Sequence, residues 1–349
     1  MLDAEIQLRL ERLRLDAIMT VQRGEVVALL GPNGAGKSTV LRALAGLLRL
    51  DGGRVQLDGT LLEDPARRIR VPPEKRPIGL MFQDYLLFPH MTAVDNVAFG
   101  LRAHKMDRSV ARQKATDALE RLGLAAVVAA KPGAMSGGQQ QRVAMARALV
   151  TEPRLLLLDE PLAALDVSTK NSLRRHLRTV LRESEAANVL VTHDLLDAVA
   201  LADRMVVIED GGIVQAGTPA EVTARPRSQY VADLVGMNLL RGTASGRTIE
   251  LEGGGKLVIS EAATGSVLAV VPPSAVSVHR SQPETTAANL WTGQVAGVDL
   301  MGDRVRVRID GQPTLSAEVP PSAVDELKLD DAGQLWASVD PAAVRVYPS

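Results

Sequence analysis

The sequence contains no cysteine, which excludes disulfides, thiolate metal sites and cysteine nucleophiles together. That composition suits a reducing cytoplasm. Aromatic residues are only 2% of the chain, and the few present (Phe82, Phe88, Phe99, Tyr85, Tyr230, Tyr347, Trp291, Trp336) offer little surface for stacking on unpaired nucleotides. A stacking-based nucleic-acid binder is disfavoured. Lys+Arg 40 against Asp+Glu 41 gives a net charge of -1, so no global field gathers nucleic acid or an anionic membrane. The longest apolar stretches, such as Leu155 to Leu158 and Val267 to Val271, fall far short of the ~20 residues that span a bilayer. Met1 to Leu15 mixes Asp3, Glu5, Arg9, Glu11, Arg12 and Arg14 with its apolar residues, unlike a secretion signal. Work at a membrane therefore requires a partner to hold the chain there.

A chain of 349 residues predicts a large unit plus a smaller one, each burying its own core. From Gly24 to Val235 strand-like and helix-like segments alternate: Glu25 to Leu30 reads as an apolar strand, Lys37 to Leu48 as a helix, and Leu155 to Leu158 and Asn188 to Thr192 as strands. That order predicts an α/β, doubly wound and largely parallel sheet. After Gly236 short β-branched runs take over, with alternation in Arg304 to Ile309 ending at the turn pair Asp310-Gly311. The expected domains are 1–235 and an all-β 236–349.

The tail repeats itself. Asn238-Leu239-Leu240-Arg241-Gly242 echoes Asn289-Leu290-Trp291-Thr292-Gly293, and Ser266 to Pro272 echoes Gln334 to Asp340. Two copies of one β-unit, about 237–281 and 285–349, predict duplicated small barrels of the oligonucleotide/oligosaccharide-binding type.

Gly31-Pro32-Asn33-Gly34-Ala35-Gly36-Lys37-Ser38-Thr39 follows the apolar strand and opens a helix, the setting a phosphate-binding loop requires. The glycines let backbone N–H groups close around phosphates. Lys37 reaches the β and γ oxygens, the Ser38 hydroxyl ligates Mg²⁺, and Thr39 adds a contact to the α-phosphate. Leu155-Leu156-Leu157-Leu158-Asp159-Glu160 is a buried strand ending in two carboxylates. Asp159 is placed to hold Mg²⁺ through water, and Glu160 to activate the attacking water.

Between these motifs lies Met135-Ser136-Gly137-Gly138-Gln139-Gln140-Gln141-Arg142, which resembles the signature of the ATP-binding cassette family. Ser136 and the backbone at Gly137 and Gly138, followed by Gln139, would offer γ-phosphate donors at a helix start. The resemblance implies a head-to-tail homodimer in which each signature closes over the ATP held by the other subunit. Gln83, Asp166 and His193 match the family's Q-loop, D-loop and switch histidine. Their implied roles are sensing Mg²⁺ and water, coupling the two sites, and contacting the γ-phosphate while orienting Glu160. His90, His104, His176 and His279 show no metal-ligand spacing and read as surface or packing residues.

The segment Leu87 to Gly100 resembles the importer branch, in which it docks a permease helix, with Leu87, Phe88 and Met91 expected to be exposed. The tail resembles the transport-associated (TOBE) barrel. Importer membership implies two copies of a permease, an external solute-binding protein acting indirectly, and a position on the cytoplasmic face of the membrane. Val71 to Gly79, Val235 to Gly242 and the segment beginning Thr285-Thr286-Ala287-Ala288-Asn289 resemble molybdate importers more than sugar importers. Sulfate, ferric iron and polyamine importers are the alternative, and a soluble oxyanion-binding regulator is an alternative of another class. Two departures stand out. The first aromatic in the chain is Phe82, so the aromatic that importers place before the phosphate loop to stack on adenine is missing. Molybdate-binding barrels usually carry an Arg before the Asn and a Lys near the last strand, where this chain has Ala288 and Asp340.

Overall fold

A computed structural model describes the chain apart from Arg12 and residues 164–166, 284–287, 328 and 330–332, with backbone alone for 167–169. The expected D-loop residue Asp166 and the start of the final repeat at Thr285 therefore lie outside the described residues. Contacts divide the chain into Met1–Ala220 and Glu221–Ser349.

In the first unit the strands are β1 (Leu2–Leu10), β2 (Leu13–Val21), β3 (Val26–Leu30), β4 (Gly52–Leu57), β5 (Thr60–Asp64), β6 (Ile69–Arg70), β7 (Ile78–Met81), β8 (Leu155–Asp159), β9 (Ala187–Val191), β10 (Arg204–Glu209) and β11 (Gly212–Gly217). The helices are α1 (Lys37–Leu44), α2 (Ala93–Ala103), α3 (Arg108–Arg121), α4 (Gly137–Leu149), α5 (Val167–Glu183) and α6 (Leu195–Leu201). One sheet runs in the order β6-β5-β4-β1-β2-β11-β10-β3-β9-β8-β7.

The run β10-β3-β9-β8-β7 is parallel, as is the short pairing of β11 with β2. The β1, β2, β4, β5 and β6 side is antiparallel. The sheet is thus less parallel than the alternation predicts, because β1 and β2 form a hairpin whose tight connection leaves no room for a crossover helix.

The apolar runs of the central strands follow from burial on both faces. Leu156, Leu158 and Leu190 join one core with residues of α2, α3, α4 and α5. Leu155, Leu157, Val189 and Val191 point the other way, into a core shared with α1 and the antiparallel strands. Neighbouring parallel strands then deliver the chain, at their carboxyl ends, to one rim of the sheet.

The second unit holds α8 (Gln229–Val235), which follows α7 (Pro219–Ala224) at the division, then β12 (Asn238–Leu251), β13 (Lys256–Val271), β14 (Val276–His279), β15 (Asn289–Met301), β16 (Arg304–Gly311), β17 (Leu315–Val319), α9 (Ser322–Glu326), β18 (Gln334–Val339) and β19 (Arg345–Pro348). The division falls before α8 rather than after Val235, since Ala232 of α8 packs with Leu239, Leu268, Val270 and Tyr347, and the Tyr347 hydroxyl donates to Pro226 O at 2.5 Å.

Two sheets form, β12-β13-β19 and β14-β18-β15-β16-β17, and share one core. The closing strand of each repeat crosses to the other: β14 pairs with β18, and β19 with β13. A proline-started 3-10 turn, at Pro273–Ala275 and at Pro341–Ala343, precedes each crossing. The echoed asparagines clamp the same exchange. Asn238 donates to Ser316 O at 2.8 Å and accepts from Ser316 N at 2.6 Å, while Asn289 does the same with Val258 at 2.9 and 2.6 Å. Asp340 caps the second 3-10 turn through Ala342 N at 2.8 Å.

Candidate nucleotide site

Because β3, β9, β8 and β7 are consecutive in the sheet, their carboxyl ends bring the phosphate loop, His193, Asp159 with Glu160, and Gln83 to one rim. Gly31 leaves β3 beneath the backbone of β10, where a Cβ would lie 2.0 Å from Ile208 O. Gly36 caps α1 in the left-handed region, φ 106, with no side-chain cap. Among the described residues, the N–H groups of Lys37, Ser38 and Thr39 have no backbone acceptor outside helix α1, as expected of the first turn of a helix. They form an anion-binding end, and the residues fit a nucleotide's phosphates.

Lys37 is buried and its ammonium donates to Gly31 O at 2.7 Å and Pro32 O at 2.9 Å. Burial lowers its pKa, while the carboxylates of Glu160 and Asp159 oppose that shift. Ser38 Oγ donates to Asp159 Oδ1 at 3.2 Å. Burial pushes the Asp159 carboxyl up, with the Ser38 hydrogen bond working against it. A hydroxyl and a desolvated carboxylate side by side are hard oxygen donors of the kind Mg²⁺ takes beside a nucleotide.

Glu160 follows in a left-handed conformation, φ 49, with its N–H donating to Val191 O at 3.0 Å. That turn swings the side chain off the line of β8 and between two partners. Gln83 Nε2 donates to Glu160 Oε2 at 3.4 Å, and His193 Nδ1 lies 3.3 Å from Glu160 Oε1. Three residues separated widely in the chain thus meet at one carboxylate.

The signature segment is built differently. Ser136 caps α4: its hydroxyl accepts from Gln139 N at 3.3 Å, and Gln139 Oε1 accepts from Ser136 N at 2.9 Å. Among the described residues, no hydrogen bond or ion pair links Ser136, Gly137, Gly138 or Gln139 to the chain's own phosphate loop.

Some contributors were not singled out from sequence. Gln141, fully buried on α4, donates to Pro161 O, tying the signature helix to the turn after Glu160. Arg147 donates to Tyr85 O at 2.7 Å and Leu86 O at 2.8 Å, holding two consecutive left-handed residues just beyond Gln83. The only available signal was a polar residue on an otherwise apolar helix face. In the importer-like segment and the residue just before it, the exposed large apolar side chains are Phe99 and Leu86, while Met91 is half-buried. Leu87 packs against the core instead, and Phe88 stacks at 4.7 Å on Phe99. Leu13 and Leu15 are the side chains nearest a Cβ at Gly36, which places aliphatic groups beside the loop.

The family model for the ABC transporter matches residues 15–163, and that for the TOBE domain residues 285–346. The molybdenum import ATP-binding protein ModC of Mycobacterium tuberculosis is 41% identical over 349 residues, covering 96% of this chain and 95% of its own length. This chain belongs to the ABC transporter family. Among other relatives of this ABC ATPase, the molybdate/tungstate import ATP-binding protein WtpC of Pyrococcus horikoshii is 36% identical, with 94% of each chain covered. The sulfate/thiosulfate import ATP-binding protein CysA 2 of Chromobacterium violaceum is 38% identical, with 95% of this chain and 90% of its own covered. The dimeric ATP-binding cassette MJ0796 bound to ADP and Pi superposes with a TM-score of 0.54 at 30% identity, covering 63% of this chain and 99% of its own. As an ABC ATPase the chain binds and hydrolyses ATP. No helix among the described residues is long and apolar enough to cross a membrane.

Proposed function

We propose that this ABC ATPase hydrolyses Mg-ATP as half of a head-to-tail homodimer and so drives uptake of molybdate, or a related oxyanion, through two copies of a separate permease on the cytoplasmic face of the membrane. The observation that carries the hydrolytic part is Glu160, held between Gln83 and His193 at the end of β8. A carboxylate fixed from both sides accepts a proton from one water in one direction, which is what in-line attack on a γ-phosphate requires. Lys37 and the first-turn amides of α1 hold the phosphates, and Ser38 and Asp159 hold Mg²⁺. When bound, the ion neutralises charge that builds on the phosphate oxygens. His193 keeps Glu160 oriented and contacts the γ-phosphate.

The dimer reading is supported by Ser136: among the described residues no hydrogen bond or ion pair joins its helix start to the chain's own phosphate loop, and the nucleotide of a second subunit would give that helix end an anion. Mixing tests it. Ser136→Arg and Lys37→Met subunits, each inactive alone, should regain part of their turnover when combined, because one of the two composite sites is then intact. No recovery would sink the head-to-tail arrangement.

The cargo reading is supported by the full-length similarity to molybdate importers. Deleting the gene for this chain and measuring molybdate and sulfate uptake decides it. Loss of molybdate uptake alone is expected, and loss of sulfate uptake alone would transfer the chain to sulfate. The exposed Leu86 and Phe99 would then meet the permease.

A further inference from the structure

Helix α5 begins at Val167 and carries Lys170 and Arg174 one turn apart on one face. Across from them stand Asp194, the N-cap of α6, and Asp197 in its first turn. Lys170 Nζ lies 2.5 Å from Asp194 Oδ2 and 3.2 Å from Asp197 Oδ2. Arg174 Nη2 lies 2.6 Å from Asp197 Oδ1 and 4.0 Å from Asp194 Oδ2, and its Nε donates to Asp197 Oδ1 at 2.8 Å.

Asp194 has further bonds. Its Oδ1 accepts from Leu196 N at 2.7 Å and Asp197 N at 3.4 Å, and its own N–H donates to Thr192 Oγ1 at 3.1 Å. Between Thr192, which is buried, and Asp194 sits His193. Its side chain is 62% exposed, so packing does little to hold the ring. What fixes the imidazole beside Glu160 is the backbone on its two sides.

The four charges are an expensive way to gain stability alone. The Asp197 side chain is 4% exposed and that of Arg174 16%, and replacing such desolvated pairs by apolar groups is often neutral or stabilising. Burial opposes the Lys170 ammonium, yet the hydrogen bonds and field of Asp194 and Asp197 outweigh it and its pKa rises. Burial likewise opposes the Asp194 carboxylate, and Lys170 outweighs it in the other direction. Lys170 and Asp194 thus each favour the charged form of the other.

We infer that Lys170 and Arg174 are positioning residues for ATP hydrolysis, tying α5 to the turn that carries His193 and so holding the imidazole against Glu160. The inference rests on the reading of His193 and Glu160 as the hydrolytic pair. Loosening the tie lets the imidazole drift while leaving the phosphate loop untouched, so turnover suffers and nucleotide affinity does not.

The test compares full-length wild type with Lys170→Met, Lys170→Arg, His193→Ala and the Lys170→Met/His193→Ala double variant, reading kcat, KM for Mg-ATP and thermal midpoint. Lys170→Met should lower kcat about tenfold, as expected for misplacement of well under 1 Å, with KM within about twofold. Lys170→Arg should restore most of the loss, and the double variant should be no slower than His193→Ala alone. Should Lys170→Met fold poorly, Arg174→Lys keeps the charge but loses the forked contact, and should lower kcat about threefold at a normal thermal midpoint. Wild-type kcat in Lys170→Met and Arg174→Lys, beside a His193→Ala slowed to its residual rate, overturns the inference, and so does a double variant about tenfold below that residual rate. Normal turnover by His193→Ala overturns the reading of the histidine, and this inference with it.

Discussion

Replacing Gly31 by Ala tests whether the phosphate loop is held by the sheet beneath it. A Cβ there would lie 2.0 Å from Ile208 O and 3.1 Å from Ile208 C, more than about 1 Å short of ordinary contact. The opposing atoms are backbone of β10, which pairs with β3 in parallel register, Val207 opposite Leu30. They cannot rotate aside, so the loop must move. Gly31 O also accepts from the Lys37 ammonium at 2.7 Å, and the lysine is displaced with it. A shift of about 1 Å at a catalytic contact costs on the order of 100-fold in rate, or about 2.7 kcal/mol of transition-state stabilisation. Overpacking adds about 1–3 kcal/mol of lost stability. Gly34 is the internal control for stability: its φ is +83 but nothing lies within 4 Å of its Cβ position, so the fold of Gly34→Ala meets the left-handed penalty of about 1–2 kcal/mol without the clash. Steady-state ATPase assays and thermal melts of both variants give the comparison. A Gly31→Ala enzyme with wild-type kcat/KM, or one no less stable than Gly34→Ala, would refute the reasoning.

Glu160→Gln should keep ATP binding but nearly stop turnover and accumulate a closed dimer, as size-exclusion chromatography with ATP would reveal; unchanged hydrolysis would remove Glu160 from its role. Asn238→Ala and Asn289→Ala each leave a part-buried backbone N–H and C=O without their side-chain partner, so each should destabilise the β unit by about 1–3 kcal/mol, read as a lower denaturant midpoint. Burial raises the Tyr347 phenol to about 12, with Arg227, Arg345, Arg225 and Arg241 opposing. Because the folded pKa exceeds the unfolded value near 10, this contribution is fully present below pH 10 and is lost as pH climbs towards 12. Tyr347→Phe should flatten the stability profile of the chain across that window.

The chemistry was legible from sequence because it is local. A glycine-rich turn between an apolar strand and a helix, and carboxylates at a strand end, declare themselves within ten residues or so. What sequence could not supply was which strand ends are neighbours. Gln83 and His193 meet Glu160 only because β7, β8 and β9 are adjacent in the sheet. The β1–β2 hairpin is hard to read from sequence although Leu2, Ala4, Ile6 and Leu8 alternate inward, since the turn at Glu11 carries neither glycine nor proline to mark it. Lys170 and Arg174 resemble any solvated helix face until α6 is placed opposite. The asparagine echo was visible as a repeat, but its use depends on a backbone from the other copy.

The exchanged closing strands make the order of synthesis matter. The first repeat emerges from the ribosome early, yet the strand that borders β13 is β19, Arg345–Pro348, made long afterwards. Until it arrives, β13 presents an unpaired edge to whatever is nearby, the situation in which nascent chains pair with the wrong neighbour. The β unit is therefore completed in a single late step, and a polypeptide cut off before Arg345 leaves the β13 edge of its earlier repeat unpaired, while the sheet of the later repeat keeps the β14 it borrows.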